Sequence, residues 1–169
     1  SKISLSLLTD YDMISFLNRG IRGGMVQTTK SHSKANNRYL ENFNKNLPSS
    51  YITYLEANNL SDWAMSQSLP LKNFKWECHK EYLCENFIKS ISEESEIGYI
   101  YEVDIMTPQH LQKEHKELPF CNDLLSKKNY IVHYKVLQQC LENGLIITKF
   151  HRLLSFNQSP WLQKYIKFS

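Results

Sequence analysis

The sequence predicts an α+β protein, most simply an antiparallel sheet with helices packed against it. Residues 97–105 place an apolar side chain at every second position, and residues 145–150 form a second β-prone run, so both are predicted strands. Residues 134–143 indicate a helix that Gly144 ends. At 169 residues, the chain has the length of one domain or of part of a larger protein.

Composition argues against a disordered chain, a membrane-spanning protein and a secreted disulfide scaffold. With 41% hydrophobic and 22% charged residues, most of the chain is expected to fold. No apolar run approaches the ~20 residues of a membrane-spanning helix, and the first eight residues are too short and broken for a signal peptide. Four cysteines are few for a secreted scaffold, so we expect reduced thiols in an intracellular protein.

The first half of the chain contains fewer clear elements. Thr9 and Asp10 can cap a short helix that Gly20 ends. Residues 51–55 are apolar and β-prone, so they predict a strand. Residues 60–67 indicate one or two helical turns that end before Pro70.

The second half alternates helices and strands. Residues 79–96 are charged and predicted to be helical, with an acidic loop at 93–96. After the strand at 97–105, Thr107 and Pro108 begin a helix. Residues 130–133 are a short β-prone run, and Ser159 with Pro160 opens the last helix. We expect a core role for four large side chains near the C-terminus: Phe150, Leu154, Phe156 and Trp161.

Charge is unevenly distributed along the chain. Residues 1–50 contain seven Lys/Arg and three acids (+4), residues 51–119 six and twelve (−6), and residues 120–169 seven and two (+5), which sum to +3. Two basic ends around an acidic middle suit a nucleic-acid channel with a metal-binding centre. On charge alone, a solvated surface with chance asymmetry is the simpler interpretation.

The segment with the clearest candidate functional residues follows the predicted strand at 51–55. It reads Glu56-Ala57-Asn58-Asn59-Leu60-Ser61-Asp62-Trp63 and continues through Gln67. A carboxylate at a strand end, followed by a polar turn that opens a helix, can hold a divalent metal beside a nucleotide. From spacing alone, Glu56 is more simply a surface acid without function. Asn59, Ser61 and Asp62 also suit the N-terminus of a helix, which is the simpler role for them.

This segment resembles the first catalytic motif of protein-primed family B DNA polymerases of the Maverick/Polinton type, which reads Asp-x-Asn-Asn-Leu-Tyr-Gly-Trp-Ala-Met-Ser-Gln. Here Glu56 replaces Asp, Ser61 replaces Tyr and Asp62 replaces Gly. The resemblance implies that Glu56 is a catalytic residue and ligand of a two-metal Mg²⁺ site. It also implies a nucleotide-binding role for Asn59, Leu60 and Ser61.

A second resemblance lies at Gly20-Ile21-Arg22-Gly23-Gly24, which is similar to the glycine-rich element joining the exonuclease and polymerase parts of those enzymes and is matched through Gln27. There the element contacts template backbone. Glycines allow close backbone approach and arginine donates to phosphate. The predicted DNA-binding residues are Arg22, Gly23, Gly24, Lys34, Asn37 and Arg38.

The stretches at 128–134 and 151–162 resemble the family's run before the fingers, so the resemblance extends from about Leu8 to Phe168. It implies a partial palm: an antiparallel sheet, flanking helices and an insertion subdomain. The implied divisions are a glycine-rich linker and start of the palm (1–50), the first palm motif (51–70), the insertion (71–127) and the segment leading to the fingers (128–169).

The resemblance implies the partners DNA, deoxynucleoside triphosphates and a terminal-protein primer, at the nucleus or a viral replication site. The sequence has neither a Tyr-x-Asp-Thr-Asp-Ser nor a Lys-x-x-x-Asn-Ser motif, so the isolated chain is expected to be inactive in nucleotidyl transfer. Whether it is an enzyme stays open. The alternative is a non-catalytic module, derived from such a polymerase, that binds DNA or protein. A zinc site of Cys78, His79, Cys84 and Cys121 matches no standard spacing.

Overall fold

The computed structural model describes residues 3–24, 31–114 and 126–167, without the side chains of 113 and 114. Mixed helix and sheet are present, as the sequence predicts. The helices are α1 (Tyr11–Gly20), α2 (Leu60–Met65), α3 (Glu85–Ser90), α4 (Gln109–Glu114), α5 (Tyr134–Glu142) and α6 (Gln163–Ile166). The strands are β1 (Leu69–Glu77), β2 (Ile97–Met106), β3 (Lys127–His133) and β4 (Ile146–Ser159), with a 3-10 turn at Lys80–Tyr82.

All four strands form one antiparallel sheet in the order β1-β4-β2-β3. The long strand β4 pairs with β2 from Ile97↔Asn157 to Met106↔Ile146 and with β1 on its other side. In this order β1 and β3 are the edge strands.

Two hydrophobic clusters lie on opposite faces of the sheet. One face packs against α3 and α5, and its largest fully buried side chains include Tyr101 and Tyr134. The other face packs against α1 through Phe16, Ile131 and Leu154. Alternate residues of β2 therefore point to different helices, because side chains in a strand alternate between faces.

Helix α1 begins where the sequence predicts. The Asp10 side chain accepts hydrogen bonds from the backbone N–H groups of Asp12 (2.8 Å) and Met13 (3.1 Å), the contacts expected of an N-cap. The predicted end of α5 is confirmed to within one residue: the helix ends at Glu142, Asn143 is its C-cap, and Gly144 follows with φ +83°. The strands predicted at 97–105 and 130–133 are confirmed as β2 and β3.

Four features differ between the sequence expectation and the structure. The helix expected over 79–96 is reduced to the 3-10 turn at Lys80–Tyr82 and the short helix α3. Residues 51–55 do not form a strand; they are exposed and irregular, because no strand in the described ranges pairs with them. Strand β1 was not predicted, since Pro70 and the left-handed Asn73 (φ 58°) interrupt the alternation of apolar and polar side chains that is typical of a strand. The strand predicted at 145–150 continues as β4 to Ser159.

The predicted core residues are buried to different degrees. Leu154 and Phe156 have at most 1% of their surface exposed. Phe150 is partly buried against the larger cluster, and Trp161 is partly buried with its indole N–H donated to the carbonyl of Pro70 (3.3 Å).

At Gly98 the surrounding side chains leave no room for a Cβ atom. A Cβ there would press on the Phe156 ring and lie 2.5 Å from Gln158 Oε1, both of which are buried. We expect Gly98→Ala to lower the free energy of unfolding by about 2 kcal/mol, because overpacking forces neighbours from their preferred rotamers. Gly24→Ala, where a Cβ meets nothing within 4 Å, is the control. Urea denaturation checks the difference, and equal stabilities of the two variants would contradict it.

Among the residues that the structure describes, no helix is long and apolar enough to cross a membrane.

Candidate functional site

The face of the sheet beneath α1 carries two carboxylates from one strand. Glu102 and Asp104 alternate with core residues on β2, so both point toward the side of Ile100 and α1. Glu102 is only 4% exposed, which is unusual for an ionisable side chain and requires polar partners.

Strand β4 supplies those partners through a bulge. Glu102 pairs with Arg152, but Val103 pairs with Phe150, so His151 is an extra residue in β4. A bulge turns a side chain that would otherwise point away. As a result both consecutive side chains reach the carboxylates: Arg152 Nε donates to Glu102 Oε2 at 2.7 Å, and His151 Nε2 lies 2.7 Å from Asp104 Oδ1.

Asn129 lies on β3, the strand on the other side of β2, and donates hydrogen bonds to both carboxylates. Its backbone N–H donates to Asp104 Oδ1 (2.8 Å), and its side-chain amide donates to Glu102 Oε1 (3.2 Å). The residue has φ 51°, a left-handed conformation that asparagine tolerates better than most residues. We call Glu102, Asp104, Asn129, His151 and Arg152 the charge cluster.

Helix α1 covers the charge cluster. Arg152 Nη1 donates hydrogen bonds to both carboxylate oxygens of Asp12, at 3.1 and 3.2 Å. The guanidinium carbon of Arg152 lies about 5 Å from the ring centres of Phe16 and Trp76. Arg19 approaches Glu102 at 4.0 Å but is more than half exposed. Arg152 therefore joins the helix to the sheet by both charge and packing.

The protonation states follow from these contacts. Burial alone would raise the pKa of Glu102, but the hydrogen bonds from Arg152 and Asn129 outweigh it and the pKa is lowered. The Asn129 N–H and then His151 lower the pKa of Asp104. Both carboxylates are therefore ionised at neutral pH, and they suit cation and hydrogen-bond binding better than acid catalysis.

The described residues contain no group of three or more His, Cys, Asp or Glu side chains placed to hold a metal ion. In the charge cluster, both oxygens of Glu102 already accept hydrogen bonds from Arg152 and Asn129. Cys78 and Cys84 are exposed free thiols, and Cys121 lies outside the described residues.

The predicted catalytic segment lies apart from the charge cluster. Glu56 is exposed within the irregular stretch before α2, so the predicted setting at a strand end is not formed. Asn59 (φ 58°) directly precedes α2 but makes no side-chain capping bond, and Leu60 is 60% exposed. Ser61 is exposed in the first turn of α2.

The predicted DNA-binding Arg22 is engaged with the sheet. Its guanidinium donates to the carbonyls of Gly20 and Ile131 and lies 4.1 Å from the ring centre of Tyr130. Gly23 and Gly24 are exposed. Arg22 thus holds the chain that leaves α1 against β3, a structural contact that its sequence context did not indicate.

The other predicted DNA-binding residues lie in a compact loop at 31–50. Lys34 and Arg38 are exposed, whereas Asn37 is 6% exposed and its amide donates to the carbonyl of Ser50 (3.1 Å). In the described residues, hydrogen bonds and ion pairs do not connect this loop or Glu56 to the charge cluster.

Sequence reasoning did not single out the charge cluster. The spacing of Glu102 and Asp104 in a predicted strand was the available signal, because two polar residues at alternate positions share a face. Their partners come from strands whose pairing the sequence does not state. No protein-family model, curated protein or solved structure matches this chain.

Proposed function

We propose that this chain is a degenerate relative of the palm region of a protein-primed family B DNA polymerase that binds DNA and does not by itself add nucleotides. The four-stranded antiparallel sheet with flanking helices is compatible with a partial palm. The resemblance of the segments around Arg22, Glu56 and residues 151–162 supports the relation. A DNA-binding role accords with a place in the nucleus or at a viral replication site.

The observation that carries DNA binding is an ordered basic loop. The side chain of Asn36 donates to the carbonyls of Asn44 (3.0 Å) and Leu47 (3.3 Å) and accepts from the N–H of Asn44 (2.9 Å). A backbone bridge between Asn36 and Ser50 closes the loop. Side-chain amides that bond distant backbone groups hold such a loop in one shape.

The loop presents cations and an aromatic ring to solvent. Residues 31–50 contain three basic residues and one acid, a net of +2: Lys34, Arg38, Lys45 and Glu41. Tyr39 is 72% exposed, with the Arg38 guanidinium 4.9 Å from its ring centre and bonded to its hydroxyl at 2.7 Å. Lysine and arginine bind phosphates, and an exposed ring stacks on bases.

We expect the double variant Lys34→Ala/Arg38→Ala to bind a labelled single-stranded oligonucleotide about tenfold more weakly, because each lost phosphate contact removes counterion release. Fluorescence anisotropy at low salt measures the dissociation constants. Glu56→Ala, an equally exposed change outside the loop, is the matched control and should bind as the wild type does. Arg22 is not a clean probe, since it also holds the carbonyl of Ile131. Failure of the wild-type chain to bind DNA at low salt would contradict the proposal.

A primer-extension assay with Mg²⁺ or Mn²⁺ tests the catalytic alternative. We expect no incorporation, because the sequence has neither a Tyr-x-Asp-Thr-Asp-Ser nor a Lys-x-x-x-Asn-Ser motif. The longer side chain of Glu56 also moves the carboxylate by more than about 1 Å, and such a displacement by itself costs ~10²-fold in rate. Incorporation that disappears in Glu56→Ala would overturn the non-catalytic assignment and support a metal role for Glu56. Because this assay is separate from DNA binding, each half of the proposal can fail alone.

A further inference from the structure

In the part of the chain that the structure describes, Arg22 of the glycine-rich segment contacts the outer edge of β3. Strand β3 stands at the end of the sheet order, and Arg22 donates to the carbonyl of Ile131, in the middle of the strand. Arg22 also stacks on the neighbouring Tyr130 ring. An edge strand is a template for pairing with another strand, and proteins protect such edges with charged side chains. Arg22 has the position and the charge of such a protecting side chain.

The same chain carries an exposed segment that has the composition of a strand but pairs with none of the described strands. Residues 51–55 combine two aromatic and two β-branched side chains with a leucine but do not form regular structure. The exposed fractions of the four largest are high: Tyr51 63%, Ile52 65%, Tyr54 85% and Leu55 86%. The stretch is irregular because nothing in the described residues pairs with it, although its composition favours a pleated surface.

We propose that β3 is an interaction edge to which residues 51–55 of a second copy add as an antiparallel strand, and that Arg22 competes with this addition. In the register that places Thr53 opposite Ile131, the Thr53 N–H replaces the guanidinium as donor to the Ile131 carbonyl. The same register places Glu56 opposite Lys128, an opposite-charge pair of the kind that stabilises neighbouring strands.

Side chains fit this register on both faces. Ile52 meets Val132 on the α5 side, where Val132 belongs to the larger core cluster. Tyr51 meets His133 on the α1 side, beside an apolar cavity of about 290 Å³ lined by Leu17, Ile21, Ile131 and His133. A pocket beside an edge strand gives strand addition its side-chain specificity.

The interface is heterologous, since a segment of one copy binds the edge of the next. Such contacts continue from copy to copy unless the rotation closes a ring. Two copies that exchange the segment reciprocally close a dimer, and any other rotation adds further copies, so the mean mass should rise with concentration in either case. This inference does not depend on DNA binding.

Sedimentation velocity over a concentration series tests the proposal on the full chain. We expect Arg22→Ala to associate about tenfold more tightly than the wild type, since loss of a competing hydrogen bond of about 1.4 kcal/mol has that effect. Thr53→Pro in the Arg22→Ala background should return the chain to the wild-type mass or below, because proline removes the donor N–H. Lys164→Ala, which changes an exposed cation of α6, is the control and should not change association.

Two outcomes would overturn the proposal. One is an Arg22→Ala chain, folded by circular dichroism, that sediments like the wild type. The other is association that persists in Arg22→Ala/Thr53→Pro. If Arg22→Ala does not fold, a labelled peptide of residues 50–57 is titrated into the wild-type chain instead. Binding that the Thr53→Pro peptide lacks supports the proposal, and equal or absent binding of the two peptides contradicts it.

Discussion

Replacement of Arg152 by alanine is expected to lower the free energy of unfolding by about 4 kcal/mol, because it leaves a buried carboxylate without its ionic partner. Glu102 is 4% exposed, and Arg152 Nε is its closest donor at 2.7 Å. The change also removes the contact with Asp12 and the packing of the guanidinium against Phe16 and Trp76. Urea denaturation at neutral pH measures the loss.

Arg19→Ala is the matched control for this prediction. Arg19 faces the same carboxylate, but at 4.0 Å and more than half exposed, so its loss should cost less than about 1 kcal/mol. Adding Glu102→Gln to Arg152→Ala should recover part of the stability, because a neutral amide costs less to bury than an unpaired charge. Equal effects of Arg152→Ala and Arg19→Ala would show that the charge cluster does not hold α1 on the sheet.

Acid should destabilise the chain through His133, which is the N-cap of α5. Its Nδ1 accepts from the N–H of Lys135 (3.4 Å), and its ring packs beside Tyr134 and Phe156. Burial, followed by the charge of Lys135, lowers the pKa of His133 from its usual 6.5 to about 4. As the pH falls, the imidazole of His133 is protonated in the unfolded chain before it is protonated in the folded chain. The contribution of His133 to the free energy of unfolding is therefore fully present above pH 6.5 and is lost as the pH drops toward 4. The total loss is about 3 kcal/mol.

The pH dependence of His133→Asn isolates this contribution. Asparagine keeps an N-cap acceptor and cannot take up a proton, so the variant should lose less stability between pH 6.5 and pH 4 than the wild type. The free energy of unfolding from urea titrations across this range checks the difference. Parallel curves for the two proteins would mean that His133 is not the group responsible.

Elements with strong local signals could be predicted from the sequence. Strand β2, helix α5 and the turn at Gly144 each carry alternation, helical spacing or a cap in their own residues. Strand β1 could not be predicted as readily, because Pro70 and the bulged Asn73 interrupt its alternation and only an edge position allows them. Residues 51–55 show the converse: β propensity without a paired neighbour leaves the backbone irregular.

The candidate site shows the same limit. That Glu102 and Asp104 share a face follows from a period of two, but their contacts with Arg152 and His151 depend on which strand pairs with β2 and on a one-residue bulge. Similarly, the basic residues Lys34 and Arg38 are visible in the sequence. The backbone and side-chain hydrogen bonds of Asn36 that order their loop join residues up to 14 positions apart and become visible only in the structure.

The salt dependence of DNA binding tests the central claim most directly. If the basic loop binds phosphates, the logarithm of the binding constant should fall with the logarithm of salt concentration. For a single-stranded oligonucleotide, Lys34→Ala/Arg38→Ala should reduce that slope by about 1.4, because two phosphate contacts are lost. Anisotropy titrations over a salt series give both slopes. Wild-type binding that does not depend on salt, or an unchanged slope in the double variant, would contradict a DNA-binding role for this loop.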